Sequence, residues 1–426
     1  MSIDPHTPVL IGAGQLAHHA TSVADGLSPV ALMAEAIRRA TADAGLDATP
    51  DADLFAVVGL LSYKHGDPAW LVARELGIDA GVTAITPMGG NSPQSLVNHC
   101  AARIQRGEME IAILAGGEAS RTRARAKREG VTLDWPVAPD DQVPVVIGDD
   151  LQMSHPAEAA IQLFMPVQGY PMFETAIRAA AGRSVDDQRD LAAGLWSRFS
   201  AVAATNPHAW LQVERTAEEI RNPSPSNRMI GFPYPKLMNS NNDVDMGAAV
   251  IICSVAKAEA LGVPRDRWVF PHSGTDCHEH AFMSNRWSFA ETPAVALGGR
   301  LALELADMTI DDVDIVDLYS CFPSAVQLGA ASLGLPLDRQ LTRTGGLCFA
   351  GGPWNNYVMH AIATVMNDLR TGAGRTGLVW ANGGFATKHA FGVYSTEPPA
   401  HGFRHAYPQD EIDAMPRREV AEGTDA

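Results

Sequence analysis

Stretches in which apolar residues recur every three or four positions alternate with short, continuous apolar runs. From Ser28 the residues SPVALMAEAIRRATADAGL follow this helical spacing, and from Thr292 the residues TPAVALGGRLALELADMTI do the same. In both segments a hydroxyl residue precedes a proline, which predicts an N-cap and a proline in the first helical position. Each predicted amphipathic helix leads to an apolar run typical of a strand, beginning at Asp53 and at Asp314.

Two glycine-rich turns continue the same correspondence. Gly89 opens the segment GGNSPQSLVNHCAARIQRG, and Gly351 opens GGPWNNYVMHAIATVMNDLR. Both predict a turn that leads into a helix. Each predicted helix is followed by an apolar run that ends in a glycine pair, at residues 116–117 and 383–384. All these segments recur in the same order about 265 residues later, which indicates an internal duplication.

The duplication predicts an α/β protein. Each half consists of strand, helix, strand, helix and strand, so we expect mostly parallel sheets covered by helices. Two such halves form a five-layer α/β/α/β/α sandwich with the two glycine-turn helices in the middle. We place the halves at residues 1–265 and 266–398, with a loop domain at about 122–241 inserted in the first half. Residues 399–426 are polar, and we expect a loose tail or a remnant of an additional C-terminal domain.

Charge and cysteine usage narrow the function classes. The chain has 426 residues and a net charge of −17, and this acidity excludes a broad basic surface for nucleic acid. Its five cysteines are scattered without disulfide or zinc spacing, which is typical of reduced thiols. No apolar stretch reaches the ~18 residues of a membrane helix, and the N-terminus does not have the pattern of a signal peptide. We therefore expect a cytoplasmic protein without a membrane span, a metal site or a nucleic-acid partner.

Several segments resemble the thiolase superfamily, from about residue 8 to about residue 396. The duplication, the paired glycine turns and the segment AGGEAS carry this resemblance, and DLYSCFPSAVQ, from Asp317, is most similar to sterol-carrier-protein thiolases. The segment IRNPSPSNRMIGFPYPKLMNSNNDVDMGAAV is similar to thiolase-like proteins described as acetyl-CoA acetyltransferases. The resemblance implies a duplicated thiolase fold, a coenzyme A thioester as substrate or ligand, and no tightly bound cofactor. It also implies a monomer or homodimer, acting alone or with an accessory subunit.

The resemblance places the superfamily's four catalytic motifs on this chain. They fall on Gly90-Asn91-Ser92, Gly351-Gly352-Pro353, Tyr319-Ser320-Cys321-Phe322 and Asn382-Gly383-Gly384. The cysteine nucleophile of the first motif and the histidine of the second are absent, although glycines are retained in three of the four. Covalent catalysis needs a nucleophile with a base within hydrogen-bonding reach, so the superfamily's covalent route is not expected here.

The glycine turns have more than one interpretation. Ser92 is either a substitute nucleophile or, followed by Pro93, the cap of the next helix, because capping needs only the unpaired amides of the first turn. We assign Gly90, Gly352 and Gly384 to substrate binding. By resemblance, the backbone amides of Gly90 and Gly384 bind a thioester or enolate oxygen. Turn geometry alone, with glycine at positive φ, explains the same residues.

Four side chains complete the candidate catalytic set. Tyr319 and Tyr357 resemble tyrosines of the superfamily's steroid side-chain retro-aldolases, which implies proton transfer on a β-hydroxyacyl-CoA; packing near a core explains them equally. His360 lies three residues after Tyr357, where it orients that phenol, acts as a base or is a structural histidine. Asn382 is placed to hold a carbonyl or a water.

A basic segment at the start of the predicted insertion is the candidate for coenzyme A phosphates. Arg121, Arg123 and Arg125 either bind these phosphates or belong to a solvated helix face. Gly12 and Gly14 form half of a dinucleotide-binding fingerprint, and we interpret them as a turn after a strand.

Three functions are consistent with these features. The first is a thiolase-like protein with acyltransferase or C–C bond-cleaving activity on acyl-CoA thioesters without a cysteine nucleophile. The second is a non-catalytic protein that binds acyl-CoA or lipid. The third is a retro-aldolase that acts on a hydroxyacyl-CoA with a partner subunit.

Overall fold

The computed structural model describes residues 3–419 and contains two large mixed sheets. The strands are β1 (Pro8–Ala17), β2 (Ala52–Val57), β3 (Ala80–Ile85), β4 (Ile111–Ala119), β5 (Val145–Val146), β6 (Met229–Gly231), β7 (Tyr234–Pro235), β8 (Asp245–Ser254), β9 (Phe270–His278), β10 (Ile315–Leu318), β11 (Thr376–Gly383), β12 (Lys388–Ser395) and β13 (Arg404–Ala406). The first sheet has the order β1-β8-β4-β2-β3-β5, and the second has the order β10-β11-β12-β9-β13. β6 and β7 form a separate hairpin.

Helices cover and separate these sheets. They are α1 (Pro29–Asp43), α2 (Pro68–Leu76), α3 (Ser92–Gln105), α4 (Ser120–Glu129), α5 (Pro156–Ala160), α6 (Pro166–Ala180), α7 (Val185–Thr205), α8 (Ala217–Arg221), α9 (Val255–Ala260), α10 (Pro293–Leu305), α11 (Pro323–Ser332), α12 (Gly346–Phe349), α13 (Tyr357–Arg370) and α14 (Gln409–Asp413). Within residues 3–419, none of them combines the length and the apolarity that a membrane crossing requires.

Both sheets are mixed, so the prediction of mostly parallel sheets is wrong. β8 runs antiparallel to both of its neighbours, β1 and β4, and β12 runs antiparallel to β11 and β9. The other strand pairs of the two large sheets are parallel. β11 and β12 are antiparallel because only the short turn of residues 384–387 joins them. A parallel connection would need a crossover of a dozen residues or more.

The two glycine-turn helices lie between the sheets, as predicted. α3 packs against β4 and β8 of the first sheet and against β9, β11 and β12 of the second. α13 packs against β1 and β8 on one side and against β10 and β11 on the other, and it also contacts α3. α1 and α2 cover the outer face of the first sheet, while α10 covers that of the second. The site described below forms at the starts of α3 and α13.

The two predicted N-caps have different outcomes. Ser28 caps α1, because its side chain accepts a hydrogen bond of 3.1 Å from the Ala31 amide. Thr292 makes no such bond to α10. The Glu279 carboxylate accepts from the Ala294 amide at 3.0 Å instead, so a residue distant in sequence satisfies this helix start.

The segment between β4 and β8 forms the insertion. Its helices α6 and α7 pack against α11 of the second half, where Gln188 Nε2 donates to Gln327 Oε1 at 2.8 Å. β5 pairs with the last residues of β3 at the edge of the first sheet. The insertion bounds 122–241 and the division at residues 265 and 398 stay predictions.

Residues 399–419 are ordered against the second sheet, so the prediction of a loose tail is wrong for them. β13 pairs in parallel with β9, and Ile412 of α14 is buried in a small apolar cluster with Cys277 and Leu297. The few apolar residues that make these contacts lie in a largely polar stretch of sequence, which indicated no packing. Residues 420–426 of the predicted tail lie outside the described residues.

Gly12 and Gly14 lie within β1 rather than in a turn, so their interpretation as a turn is wrong. A side chain at Gly14 would overlap the Ala36 carbonyl oxygen and come within 2.6 Å of the Ala40 amide nitrogen, both on α1. Glycine is therefore needed here because the helix backbone packs directly on the strand.

Substitution of Gly14 tests this contact. Gly14→Ala should lower the free energy of unfolding by about 1–3 kcal/mol, because the new methyl group overlaps the α1 backbone. Gly194→Ala is the matched control: it makes the same change inside α7, where no atom lies within 4 Å of the new methyl position. It should raise the free energy of unfolding by roughly 0.5–1 kcal/mol. Urea denaturation measures both, and equal stability of the two variants would contradict the close packing.

Candidate functional site

Two glycine loops meet at the centre of the molecule. One precedes α3 and contains Gly89 and Gly90, and the other ends β11 at Asn382 and Gly383. A side chain at Gly383 would lie 3.0 Å from the Gly90 amide nitrogen, and one at Gly90 would overlap the Asn382 carbonyl oxygen. The loops can approach this closely only without side chains. The loop before α3 and the end of β11 are therefore in direct backbone contact.

Tyr319 fills the space beside Gly90. A Cβ atom at Gly90 would lie 2.5 Å from the Tyr319 hydroxyl, so the phenol stands where a residue-90 side chain would begin. Tyr319 follows β10, and its amide donates to the Trp380 carbonyl at 3.1 Å, which extends the pairing with β11. The side chain is 7% exposed, and its hydroxyl makes no hydrogen bond within residues 3–419.

Tyr170, from the insertion, braces the second loop, and the sequence analysis missed it. Its hydroxyl accepts from Asn382 Nδ2 at 2.9 Å and from the Ala386 amide at 3.0 Å, and it donates to the Gly384 carbonyl at 3.2 Å. Its ring stacks on Phe322 with centroids 4.5 Å apart. No local sequence pattern marks Tyr170, because its hydrogen-bond partners lie more than 200 residues away in the chain.

The polar groups of this site remain protonated at neutral pH. Burial raises the pKa of Tyr319 and Tyr170, and it raises the pKa of Cys321 to about 12. The Tyr319 phenol is therefore a hydrogen-bond donor, and the Cys321 thiol is not a ready nucleophile. Asn382 Oδ1 is buried and has no hydrogen-bond partner within residues 3–419.

Two backbone amides of these loops are free. Gly90 and Gly384 both lie in turns, and neither N–H group donates a hydrogen bond to another residue of the described part of the chain. Gly384 adopts a φ of +70°, and a side chain there would overlap Met153 Sδ. Free amides beside a phenol can bind a carbonyl oxygen.

Tyr357 lies next to Tyr319, but its hydroxyl is engaged elsewhere. The two rings form an edge-to-face pair with centroids 5.6 Å apart. The Tyr357 hydroxyl is 2.6 Å from Thr344 Oγ1 and donates to Asp317 Oδ1 at 3.2 Å. Burial raises the pKa of Asp317 to about 6, although backbone amides also bind it. Tyr357 thus supports the Tyr319 ring, and its predicted role in proton transfer stays a prediction.

His360 does not contact the Tyr357 phenol, so the prediction that it orients this group is wrong. Its Nδ1 lies 3.0 Å from Gln15 Oε1, which belongs to β1 of the first sheet. Burial lowers the pKa of His360 to about 3, so the ring is neutral. Tyr357 and His360 are three positions apart on α13, which suggested a contact between their side chains. The contact with β1 determines the orientation of the His360 ring instead.

Ser92 is not the helix cap that the sequence predicted, and the space beside Gly352 is filled. Ser92 is the first residue of α3 rather than its cap, and its hydroxyl donates only a long hydrogen bond, 3.4 Å, to the Pro87 carbonyl. The N-cap position belongs to Asn91, whose side chain makes no capping bond. At Gly352 a side chain would overlap Ser240 Oγ, so a residue near the end of the insertion fills the place that the superfamily's histidine would need.

The three candidate arginines of α4 do not converge on one point. Arg121 Nη1 is 3.2 Å from Asp243 Oδ2. Arg123 donates to the Leu61 carbonyl at 3.2 Å, and Arg125 donates to the Ala20 carbonyl at 2.9 Å. Their role in binding coenzyme A phosphates stays a prediction. Within residues 3–419 no cluster of histidine, cysteine and carboxylate side chains is arranged to hold a metal ion.

Substitution of Tyr170 tests the bracing of the second loop. Tyr170→Phe should lower the free energy of unfolding by about 2 kcal/mol, because it leaves the Asn382 amide and the Ala386 N–H without an acceptor. Tyr63→Phe is the control, since the Tyr63 hydroxyl makes only long hydrogen bonds of 3.4 and 3.5 Å, and it should change stability by less than about 0.5 kcal/mol. Urea denaturation compares the two, and a neutral Tyr170→Phe would contradict the bracing role.

Comparison with solved structures places this site in a known fold. The chain is 34% identical to a monomeric SCP2-thiolase-like protein type 1 from Mycobacterium smegmatis, with a TM-score of 0.83 over 99% of this chain and 84% of that one. The Ltp2–ChsH2(DUF35) aldolase is 20% identical, with a TM-score of 0.66 over 92% of this chain and 98% of that one. The acetyl-CoA acetyltransferase from Syntrophomonas wolfei is 15% identical, with a TM-score of 0.65 over 92% and 100%.

No protein-family profile matches the chain. The similarity to the M. smegmatis protein extends over nearly the whole sequence. It therefore includes both sheets and the insertion between β4 and β8. The two more distant structures share the mixed α/β fold. The chain therefore belongs to the SCP2-thiolase-like proteins of the thiolase superfamily.

Proposed function

We propose that this protein binds an acyl-CoA thioester at the two glycine loops and polarises its carbonyl by hydrogen bonds, without an acyl-enzyme intermediate. One observation carries the proposal: the Tyr319 hydroxyl occupies the space beside Gly90, where the superfamily's cysteine side chain would begin. A protonated phenol with no other partner is a donor for an oxygen atom. The amides of Gly90 and Gly384 are further donors, so that the thioester oxygen receives up to three hydrogen bonds.

This arrangement supports chemistry that places negative charge on the thioester oxygen. Direct acyl transfer to an external nucleophile does so, and so does cleavage or formation of the C–C bond next to the carbonyl. The similar structures include an acetyltransferase and an aldolase, so both reaction classes occur on this fold. These hydrogen bonds would strengthen as negative charge develops on the oxygen in the transition state. They would therefore increase the reaction rate and not only the binding of the substrate.

The insertion covers the second loop at Gly384. Met153, in the irregular segment before α5, places its sulfur against Gly384. Methionine is flexible and unbranched, so it can leave and return at small cost. We propose that the acyl chain displaces Met153 and that the coenzyme A portion extends along the insertion, towards Arg121 and Arg123.

We propose a monomer as the functional unit. β5 pairs with Ala84 and Ile85 of β3 and so occupies part of the edge that a second chain would extend. The similar M. smegmatis protein is described as monomeric. The aldolase structure contains a second protein, ChsH2(DUF35), and an accessory subunit is therefore the partner to test where the isolated chain shows no turnover.

A non-catalytic binding protein is the second candidate function. Tyr319, Cys321 and Asn382 are buried, and burial keeps the Tyr319 and Cys321 side chains protonated, so neither serves as a base at neutral pH. Such a protein would bind acyl-CoA and release it unchanged.

Intact mass measurement with acetyl-CoA and a longer acyl-CoA, together with release of free thiol, tests the proposal. We expect no covalent adduct, because the buried Cys321 thiol is protonated and the Ser92 hydroxyl donates only to the Pro87 carbonyl. Thiol release or C–C cleavage without an adduct supports catalysis, and intact bound acyl-CoA supports the second candidate. A stable acyl adduct on the protein would contradict the proposal.

Tyr319→Phe tests the donor directly. We expect turnover to fall by roughly 10²-fold, the loss typical of one hydrogen-bond donor to a developing oxyanion. Tyr394→Phe is the matched control, because Tyr394 is also buried, and its hydroxyl donates to Gln94 Oε1 at 2.8 Å. It should leave turnover within about twofold of the wild type. Equal turnover of the two variants at equal thermal stability would contradict the role of Tyr319.

A further inference from the structure

A second cavity opens on the other side of the first glycine loop. It has a volume of about 540 Å³ and lies between the start of α3 and the edge formed by β9, β12 and β13. Ser95, Asp276 and Lys388 are among the residues of its walls, which do not include Tyr319 or Asn382. The cavity also includes Ser92 of the first loop, but neither Tyr319 nor Asn382 lines it, so it is distinct from the place where the thioester oxygen is proposed to bind.

Among residues 3–419, Lys388 is the only buried lysine. It is 8% exposed, and its Nζ donates to the Met88 carbonyl oxygen. No carboxylate lies within 4 Å of this Nζ in the described part of the chain, whereas buried lysines are usually paired. The other four lysines are exposed or half-buried: Lys64, Lys127, Lys236 and Lys257.

Burial shifts the protonation equilibrium of Lys388 towards the neutral amine. Burial lowers the pKa of Lys388, and the nearby carboxylates of Asp150 and Asp149 act in the opposite direction from exposed positions. A desolvated lysine without an ion pair is the usual environment of an amine that attacks carbonyl groups.

Groups able to move protons lie on the same face of the second sheet. Lys388 pairs with His278, and the next position on this face pairs Ala390 with Asp276, so Lys388 and Asp276 are diagonal neighbours. Asp276 Oδ2 is 2.8 Å from Nε2 of His405, which also lines the cavity. A histidine–carboxylate pair that lines the same cavity as an amine can donate and accept protons during a condensation.

We propose that this cavity is a carbonyl-binding site in which Lys388 forms an imine with a neutral aldehyde or ketone. The Nζ lone pair attacks the carbonyl carbon and forms the C–N bond. The two amine protons reach the carbonyl oxygen through the His405–Asp276 pair, and this oxygen leaves as water, so the step consumes no other reagent. Asp276 and Asp149 line the same walls and would repel a carboxylate, whereas Arg106 of these walls is paired with Glu108, so a neutral substrate fits best.

Reductive trapping tests this site. The full-length protein is incubated with butanone and sodium cyanoborohydride, which reduces an imine to a stable secondary amine, and each lysine peptide is quantified by mass spectrometry. We expect at least about tenfold more label at Lys388 than at any other lysine, because a desolvated amine has a larger neutral fraction. Lys388→Arg keeps the positive charge but has no amine to condense, so it should lose this label while the other four lysines react as before.

Label spread evenly over the lysines, or confined to the four accessible ones, would overturn the proposal. The comparison of lysines within the wild-type chain decides the question even where Lys388→Arg does not fold. This experiment uses neither a thioester nor Tyr319. Its failure would therefore leave the thioester proposal intact, and a failure of the thioester proposal would leave this one intact.

Discussion

The close approach of two glycine loops is the constraint on which the site depends. A side chain at Gly90 would overlap the backbone of the Asn382 loop, and one at Gly383 would crowd the Gly90 amide. The loops belong to different halves of the chain, and each continues an element that packs at the centre: α3 follows the first, and β11 ends in the second. Close packing of the halves therefore determines where the free amides and the Tyr319 phenol meet.

The superfamily scaffold is retained here with different side chains. Glycine occupies the positions that the resemblance assigns to the nucleophile and to the activating histidine, and Tyr319 and Ser240 fill the vacated space. Tyr170 then anchors the Asn382 loop through three hydrogen bonds. Tyr319 is a hydrogen-bond donor that burial holds in its protonated form, which supports the proposed change from a covalent site to one that stabilises negative charge on an oxygen atom.

Sequence periodicity predicted the repeated framework well, because it depends on local rules. The helix after Ser28, the helices that follow Gly89 and Gly351, and their central position were all predicted from spacing and glycine turns. Long-range contacts were not predictable in this way. Tyr170 meets Asn382 across more than 200 residues, Glu279 replaces the expected cap at Thr292, and the ring of His360 turns to Gln15. Each of these depends on packing between elements that no local pattern encodes.

A crystal structure of the protein with a bound acyl-CoA tests the central claim most directly. The account predicts an intact thioester whose carbonyl oxygen lies within hydrogen-bonding distance of the Tyr319 hydroxyl and of the Gly90 or Gly384 amide, with Met153 displaced from Gly384. An acyl group covalently attached to the protein, or a thioester bound away from these loops, would contradict it.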